Sequence, residues 1–124
     1  MPYVTISITP GFSADQKKQL MQRTSDAVVQ SIGAPLANVR VLLHELQTGC
    51  YLNGGKFDTA GLMFLVEFIA GRTVEQKAAL IAALSRAGLE TTGIPESELR
   101  VRLIDFPKTD MGMAGGVSAA AAGR

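Results

Sequence analysis

The chain has 124 residues, of which 47% are hydrophobic and 19% are charged, and its formal net charge is +1. Chains of this length usually form one compact unit, and this composition is too apolar and too weakly charged for a disordered chain. The 12 basic and 11 acidic side chains lack the basic excess that is typical of nucleic-acid-binding domains. We therefore expect one domain over residues 1–124 that binds no nucleic acid.

Cysteine and histidine usage argues against two kinds of structural site. Cys50 is the only cysteine and His44 the only histidine, so we expect neither an internal disulfide nor a structural zinc site.

The longest apolar stretches, such as residues 62–66, are far shorter than the ~20 residues that span a bilayer. The first residues lack the basic segment and apolar run of an export signal. We expect a cytoplasmic protein that does not enter a membrane.

The chain contains an internal repeat. When residues 11–43 are aligned with residues 71–103, 11 of 33 positions are identical without a gap. Unrelated segments share far fewer identities, and an internal repeat decides how every later element is interpreted. We interpret the chain as a tandem duplication, with one repeat over residues 1–60 and the other over residues 61–124.

The first repeat predicts a strand, a helix and a second strand. Residues 3–9 alternate β-branched and small polar side chains, which is typical of a strand. Ser13 is the predicted N-cap of the helix that follows, and Gly33 and Pro35 are expected to end it. The second strand is predicted over residues 39–46. The order is therefore β-α-β, whose crossover connection implies parallel strands.

The second repeat predicts the same elements. Residues 61–70 form a nearly unbroken apolar run, which is typical of a strand buried on both faces. Thr73 is the predicted N-cap of the helix, and Gly93 and Pro95 are expected to end it. The second strand of this repeat is predicted over residues 99–106.

Two β-α-β units predict an α/β (α+β) fold with a four-stranded mixed sheet and two helices on one face. The apolar side chains of the strands would leave apolar surface on the other face, which a monomer rarely tolerates. We therefore expect a closed oligomer that buries this face. The Gly- and Ala-rich tail, residues 112–124, is expected to add short strands to a neighbouring chain or to stay mobile.

Pro2 is the main candidate for a catalytic group. Methionine aminopeptidase removes Met1 when the next side chain is small, and this would leave a secondary amine at the start of a strand. An α-amine titrates near neutral pH, and burial or nearby cations lower its pKa further, which suits a general base. Taken alone, Pro2 is equally compatible with the start of an edge strand.

The pattern around Pro2 resembles the 4-oxalocrotonate tautomerase group of the tautomerase superfamily. The matching residues are Pro2, the Gly11 turn, DQKKQL, GAPLANVRVLLHEL and Gly54-Gly55, and the second copy reads GRTVEQKAAL, GIPESELRVRLIDF and GMAGG. The resemblance covers nearly the whole chain in two copies, as in the fused members of that group. It implies a fold similar to that of macrophage migration inhibitory factor, commonly a homotrimer, and enol–keto tautomerisation of unsaturated 2-hydroxy or 2-oxo acids such as 2-hydroxymuconate. It also implies no metal and no organic cofactor.

The resemblance assigns the catalytic base and one arginine to different repeats. Pro2 matches the catalytic proline, and the second repeat has Leu62 at that position. Arg72 matches the substrate-binding arginine of the turn after the first strand, and the first repeat has Phe12 there. The site is therefore expected to lie across the junction between the repeats.

Two further substrate-binding positions of the family each match one residue in either repeat. The arginine of the second strand matches Arg40, which by analogy reaches the site from a neighbouring chain, and Arg100, for which we favour a structural role. The aromatic residue near the C-terminal turn matches Tyr51 and Met111, and Met111 is the copy expected beside Arg72. Guanidinium groups hold carboxylates through paired hydrogen bonds and stabilise oxyanion charge, so a small-molecule carboxylate is the expected partner.

Departures from the family pattern favour tautomerisation over related reactions. Relatives that hydrate 3-haloacrylates are similar in having an acidic residue near the C-terminal turn, which activates water. This chain has Asn53 and Met113 at the matching positions. Relatives that decarboxylate carry an aspartate where this chain has Asn38. Because Phe12 and Met111 also depart from the pattern, we expect low activity on the usual dienedioate. A hydratase-like or dehalogenase-like relative, and a non-enzymatic small-ligand-binding or regulatory module of ferredoxin-like type, stay open as alternatives.

Overall fold

The computed structural model describes all 124 residues. The main elements are, in chain order, β1 (Tyr3–Ile8), α1 (Ala14–Ile32), β2 (Arg40–Glu45), β5 (Leu62–Ile69), α2 (Val74–Thr92) and β6 (Leu99–Phe106). A short hairpin follows each repeat's second long strand: β3 (Leu52–Asn53) with β4 (Lys56–Phe57), and β7 (Gly112–Met113) with β8 (Val117–Ser118). No helix combines the length and the apolar character that crossing a membrane requires.

The four long strands form one mixed sheet in the order β2-β1-β5-β6. Within each repeat the two strands are parallel, and the repeats meet where β1 and β5 pair in antiparallel fashion. Residues from both helices and from one face of the sheet form a single apolar core. The predicted α/β fold, with two helices on one face of a mixed sheet, is confirmed.

Both helices begin and end at the predicted residues. The hydroxyl oxygens of Ser13 and Thr73 accept the backbone N–H of Gln16 and Gln76, each at 3.1 Å, and the glutamine side chains accept the N-cap N–H in return. Each such cap stabilises its helix by about 1 kcal/mol. The helices end at left-handed glycines in both repeats, a conformation that glycine adopts without steric cost.

Burial alternates along β5 in the single chain, and burial of its second face stays a prediction tied to the expected oligomer. Leu62, Phe64, Val66 and Phe68 point to the helices and are at most 1% exposed. The intervening side chains are only partly buried, because both helices cover the same face of the sheet. The opposite face, which we call the outer face, is thus open in the single chain.

The outer face is less uniformly apolar than the strand sequences indicated. It exposes Tyr3, Leu42 and Ile104, but it also carries the exposed side chains of Arg40 and Arg102. Polar residues occupy outward positions that lie between inward apolar ones over Val4–Ile8 of β1 and Leu99–Leu103 of β6.

The C-terminal tail forms a short hairpin and a turn that contact its own chain. β7 and β8 pair with each other across Gly115 and Gly116, which both have positive φ. Ala119 is fully buried, and its N–H donates to the Met111 carbonyl at 2.8 Å. Backbone hydrogen bonds within the chain therefore hold residues 112–124 in the single chain, and the addition of strands to a neighbouring chain stays a prediction.

Candidate active site

A cavity of about 380 Å³ opens where β1 begins and β5 ends. Because these strands are antiparallel, the start of the first repeat lies beside the turn that follows the first strand of the second. The cavity is lined by Met1, Pro2, Ala34, Pro35, Asn38, Ile69, Ala70, Arg72, Lys108, Met113 and Arg124. Pro2 and Arg72, which the sequence analysis assigned to different repeats, therefore line the same cavity.

Pro2 is buried at the start of β1. Its carbonyl oxygen accepts the backbone N–H of Arg40 at 3.1 Å, which ties this end of β1 to β2. The amine of Met1 has a pKa below its ordinary value, first because it is partly buried and then because Arg72 and Arg124 repel its charged form. This end of the chain is thus an environment that favours a neutral amine.

Arg72 lies immediately before the N-cap of α2 and is partly buried. Its Nε is buried and has no hydrogen-bond partner. A buried donor without an acceptor costs about 1–3 kcal/mol, and Nε together with one terminal nitrogen forms the fork that a carboxylate accepts. The unpartnered Nε makes Arg72 a candidate contact for an anionic ligand.

The cavity is rich in positive charge. Arg72, Lys108 and Arg124 line it, and no aspartate or glutamate does. The amide of Asn38 is its remaining polar side chain. A pocket lined by cationic side chains and by no acidic side chain attracts an anion more than a cation.

The other predicted site residues lie outside this cavity in the single chain. Met111 lines an adjoining cavity together with Met1, Tyr3, Glu67, Phe106 and Asp110. Arg40 is exposed on the outer face, where one terminal nitrogen donates to the carbonyls of Ala37 at 2.8 Å and Val39 at 3.3 Å. Tyr51 packs near the far end of the sheet against Gly61, where an added Cβ would lie 2.8 Å from its ring. The proposed role of Arg40 toward a neighbouring chain stays a prediction.

Three lining residues escaped the sequence analysis. Lys108 and Arg124 belong to the C-terminal segment, whose composition shows no periodicity that would place it against Pro2. Phe106 contributes an aromatic ring beside Met111, at a position not matched to the family's aromatic residue. The only sequence feature that points to Lys108 and Arg124 is their positive charge.

The repeat-related position at the other end of the sheet is closed. Leu62, which stands where Pro2 stands in the first repeat, is fully buried, and Phe12 packs against the core. Glu98, the repeat equivalent of Asn38, accepts a hydrogen bond from Asn53 Nδ2 at 3.1 Å. Neither Leu62 nor Phe12 lines any cavity. The two ends of the sheet have therefore diverged, and the cavity is present at one of them.

Comparison with solved structures gives matches over nearly the full chain. The crystal structure of Pt0534 inactivated by 2-oxo-3-pentynoate is 73% identical and superposes with a TM-score of 0.96, covering 98% of this chain and 99% of that one. The Q0 fused 4-OT wild-type symmetric trimer is 48% identical with a TM-score of 0.94, again covering 98% and 99%.

Sequence comparison gives shorter relatives. The 2-hydroxymuconate tautomerase of Comamonas testosteroni is 41% identical over 46 residues, which are 37% of this chain and 73% of that protein. The family profile described as "Tautomerase enzyme" matches this chain twice, over residues 2–60 and over residues 65–121. The chain therefore belongs to the tautomerase family, as a fused protein that carries the family's unit in two tandem copies.

Proposed function

We propose that this protein tautomerises unsaturated 2-hydroxy and 2-oxo acids such as 2-hydroxymuconate, with the Pro2 nitrogen as general base after removal of Met1. The observation that carries the proposal is the cavity that holds Pro2 together with the unpaired guanidinium of Arg72. The tautomerase family supports isomerase chemistry, and the Comamonas relative is named for this reaction.

Arg72 would hold and orient the substrate. A carboxylate oxygen accepts the Nε–H that has no partner in the chain, and the second oxygen accepts a terminal N–H of the same guanidinium. This grip places the conjugated chain of the acid in the cavity beside Pro2. Fixing the substrate in this way converts the proton transfers into steps within one complex.

Pro2 would move the proton. Its neutral nitrogen takes the proton of the 2-hydroxyl group, the oxygen lone pair forms the C=O bond, and the electrons of the conjugated system shift along the chain. The prolinium then returns the same proton to the carbon at which the shifted pair arrives. One O–H bond breaks and one C–H bond forms, so the reaction is a redox-neutral isomerisation.

The electrostatics of the cavity suit this base. The pKa of the Met1 amine lies below its ordinary value because of burial, Arg72 and Arg124, and the Pro2 amine of a processed chain would lie one residue deeper among the same groups. A lowered pKa leaves more of the amine unprotonated at neutral pH, as a general base requires. Met113 lines the cavity at the position where the hydratase relatives have an acidic residue. The side chain at this position therefore has no carboxylate to activate water.

We propose a homotrimer as the working form. Fused 4-OT neighbours of this chain form symmetric and asymmetric trimers, and the outer face exposes apolar side chains that association would bury. In such an assembly Arg40 is available to a neighbouring site. We also propose low activity on 2-hydroxymuconate, since Met111 replaces the family's aromatic residue.

The proposal is tested with two chains that differ only at the N-terminus. One is processed so that Pro2 carries the free amine, and the other keeps a short extension before Pro2. Ketonisation of 2-hydroxymuconate, followed by its ultraviolet absorbance, should occur with the first chain and fall to the background rate with the second. Circular dichroism melting of both chains checks that they fold alike. Equal rates for the two chains, or no rate above background for the processed chain, would contradict the proposal.

A further inference from the structure

We infer that the exposed face of α2 is a self-association surface, on which α2 of a second copy of this chain packs in antiparallel orientation. The inference goes beyond the proposed function and does not depend on it. Both helices lie on the side of the sheet opposite to the outer face, so the two surfaces do not overlap. We call this surface the α2 face, and it comprises Val74, Glu75, Ala78, Ile81, Ala82 and Arg86.

The α2 face carries exposed apolar side chains over its first turns. Val74 is 78% exposed and Ile81 is 42% exposed, and Ala78 and Ala82 are exposed as well. Their spacing of i, i+4, i+7 and i+8 places these side chains next to one another on the helix surface. Helix propensity explains exposed alanines, but the β-branched side chains of Val74 and Ile81 lower that propensity. An apolar contact on this face is therefore a better explanation of the whole set.

Glu75 and Arg86 place opposite charges at the two ends of the α2 face. They are 11 residues apart in the sequence, which is close to three full turns, so both project from the same side of the helix about 16 Å apart. Both side chains are exposed. The ion pairs of the chain join other residues, namely Lys17 with Glu45, Arg23 with Glu90, and Lys77 with Asp105.

An antiparallel pair of α2 helices satisfies both charges at once. When a twofold axis passes through the middle of the α2 face, each Glu75 lies opposite the Arg86 of the other copy. A parallel pair would instead oppose like charges at each end. Ala78 and Ala82 lie near the axis, where their short side chains allow the two helices to approach closely. The charge pattern of the α2 face is thus complementary to itself, which identifies a second copy as its occupant.

The first repeat provides an internal comparison. At four positions of the α2 face, α1 has an exposed polar or charged residue, because Asp15, Lys18, Gln22 and Asp26 correspond to Glu75, Ala78, Ala82 and Arg86. An antiparallel pair of α1 helices would oppose Asp15 to Asp26, and these carboxylates repel each other. Self-complementarity is therefore a feature of the second repeat and does not follow from the position of a helix in the fold.

Exchange of the two charges tests the pairing in the intact chain. Sedimentation equilibrium of the parent protein should give a mass that rises with concentration to at least twice its low-concentration value. Glu75→Arg alone, or Arg86→Glu alone, brings like charges together at both ends of the contact and should raise the Kd of association about tenfold. The double variant Glu75→Arg/Arg86→Glu restores opposite charges and should recover the parent Kd.

Two further variants separate the α2 face from net charge and from the outer face. Asp15→Arg makes the same change of charge as Glu75→Arg at the equivalent position of α1 and should leave the Kd unchanged. Ala78→Lys/Ala82→Gln copies the residues of α1 onto α2 and should remove the rise in mass, whereas association through the outer face would be unaffected. Circular dichroism melting shows that each variant is folded.

Three results would each overturn the inference. The mass of the parent protein may not rise with concentration beyond the unit that the outer face forms. Glu75→Arg and Asp15→Arg may change the Kd equally, which would make net charge the cause. The double exchange may fail to recover the Kd that the single exchanges lose, in which case Glu75 and Arg86 do not face each other across two copies.

Discussion

Pro2 and Arg72 line one cavity although each belongs to a different repeat. The antiparallel pairing of β1 with β5 brings the start of one repeat to the first turn of the other. At the matching positions the second repeat has Leu62 instead of a proline, and the first repeat has Phe12 instead of an arginine. The duplicated halves are therefore complementary at this site, and neither half alone contains both groups.

Replacement of Pro2 by alanine tests the base directly. Pro2→Ala keeps a terminal amine but makes it primary and more mobile, so kcat for 2-hydroxymuconate should fall by about 100-fold or more. KM should change little, because the carboxylate-binding cations are untouched. The exposed Pro10 provides the matched control, and Pro10→Ala should retain the parent rate. An unchanged kcat in Pro2→Ala would remove this nitrogen from the mechanism.

Truncation of Arg72 should act mainly on substrate binding. Arg72→Ala removes the guanidinium whose Nε has no partner in the chain, so KM should rise about tenfold for monoacid and diacid substrates alike. Steady-state kinetics on 2-hydroxymuconate and phenylenolpyruvate measure this effect. Arg86→Ala, at an exposed position of α2 outside the cavity, serves as the control. If KM stayed constant in Arg72→Ala, another group would have to hold the carboxylate.

The pH dependence of activity should respond to charge at Asn38. The burial and the cations that lower the pKa of the Met1 amine should act in the same way on the Pro2 amine of a processed chain. We therefore expect kcat/KM to rise below the pH at which an ordinary α-amine loses its proton. Asn38→Asp adds an anion to the cavity, which stabilises the protonated amine, raises its pKa and moves that rise to higher pH.

A pH–rate profile of each protein measures this shift. Gln19→Glu makes the same change of charge on the exposed side of α1, and its profile should match that of the parent protein. A profile of Asn38→Asp that coincided with the parent's would show that the amine and residue 38 do not interact.

Labelling with 2-oxo-3-pentynoate should find one reactive nitrogen per chain. This compound inactivates the similar Pt0534, and an alkyne conjugated to a ketone accepts a neutral amine at its distal carbon. Pro2 should therefore be modified once, with the new C–N bond in the N-terminal peptide.

Peptide mass mapping identifies the labelled residue. Cys50→Ser removes the exposed free thiol that would react in competition, and a chain with an extension before Pro2 should resist inactivation. Loss of activity accompanied by a label on Lys108 instead of Pro2 would contradict the assignment.

The buried hydroxyl of Thr24 predicts a stabilising substitution. Thr24 is fully buried in α1, its Oγ1 has no hydrogen-bond partner, and the repeat equivalent is the apolar Leu84. Thr24→Val keeps the shape and removes the unsatisfied group, so the free energy of unfolding should rise by about 1 kcal/mol. Urea unfolding measures the change.

Thr91 is the matched control for that substitution. Its hydroxyl donates to the Ala87 carbonyl at 2.7 Å, so Thr91→Val loses a hydrogen bond and should give no gain in stability. Equal gains at both positions would show that helix propensity or apolar burial, rather than the unpaired hydroxyl of Thr24, accounts for the effect.

The sequence predicted those features that follow from local rules. The helices begin after Ser13 and Thr73 and end at Gly33 and Gly93, as expected. N-caps and left-handed glycines act on residues that lie close to them in the chain, so these boundaries can be predicted from the sequence. The parallel pair within each repeat follows from its crossover connection. Internal duplication then doubled the number of positions at which the same pattern could be recognised.

The C-terminal part of the site depends on contacts that no local pattern contains. The Ala-rich segment has no periodic apolar face, and its path is set by hydrogen bonds to Lys108 and Met111. The repeat therefore made it possible to predict that Pro2 and Arg72 belong to one site. Nothing in the sequence predicted that Arg124 lines the same cavity. The apolar run of β5 likewise does not show which of its faces the helices cover and which is left for association.

Met1 and Arg124 line the same cavity. A circular permutation that joins them would therefore show whether the fold forms without a free amine at Pro2. A short peptide that linked these residues, with new termini opened in the exposed Gly54–Gly55 turn, would leave the order of strands in the sheet unchanged. The Pro2 nitrogen would become an ordinary amide. The permuted chain would retain the cavity and its cationic side chains but would lack the amine that the proposed reaction requires.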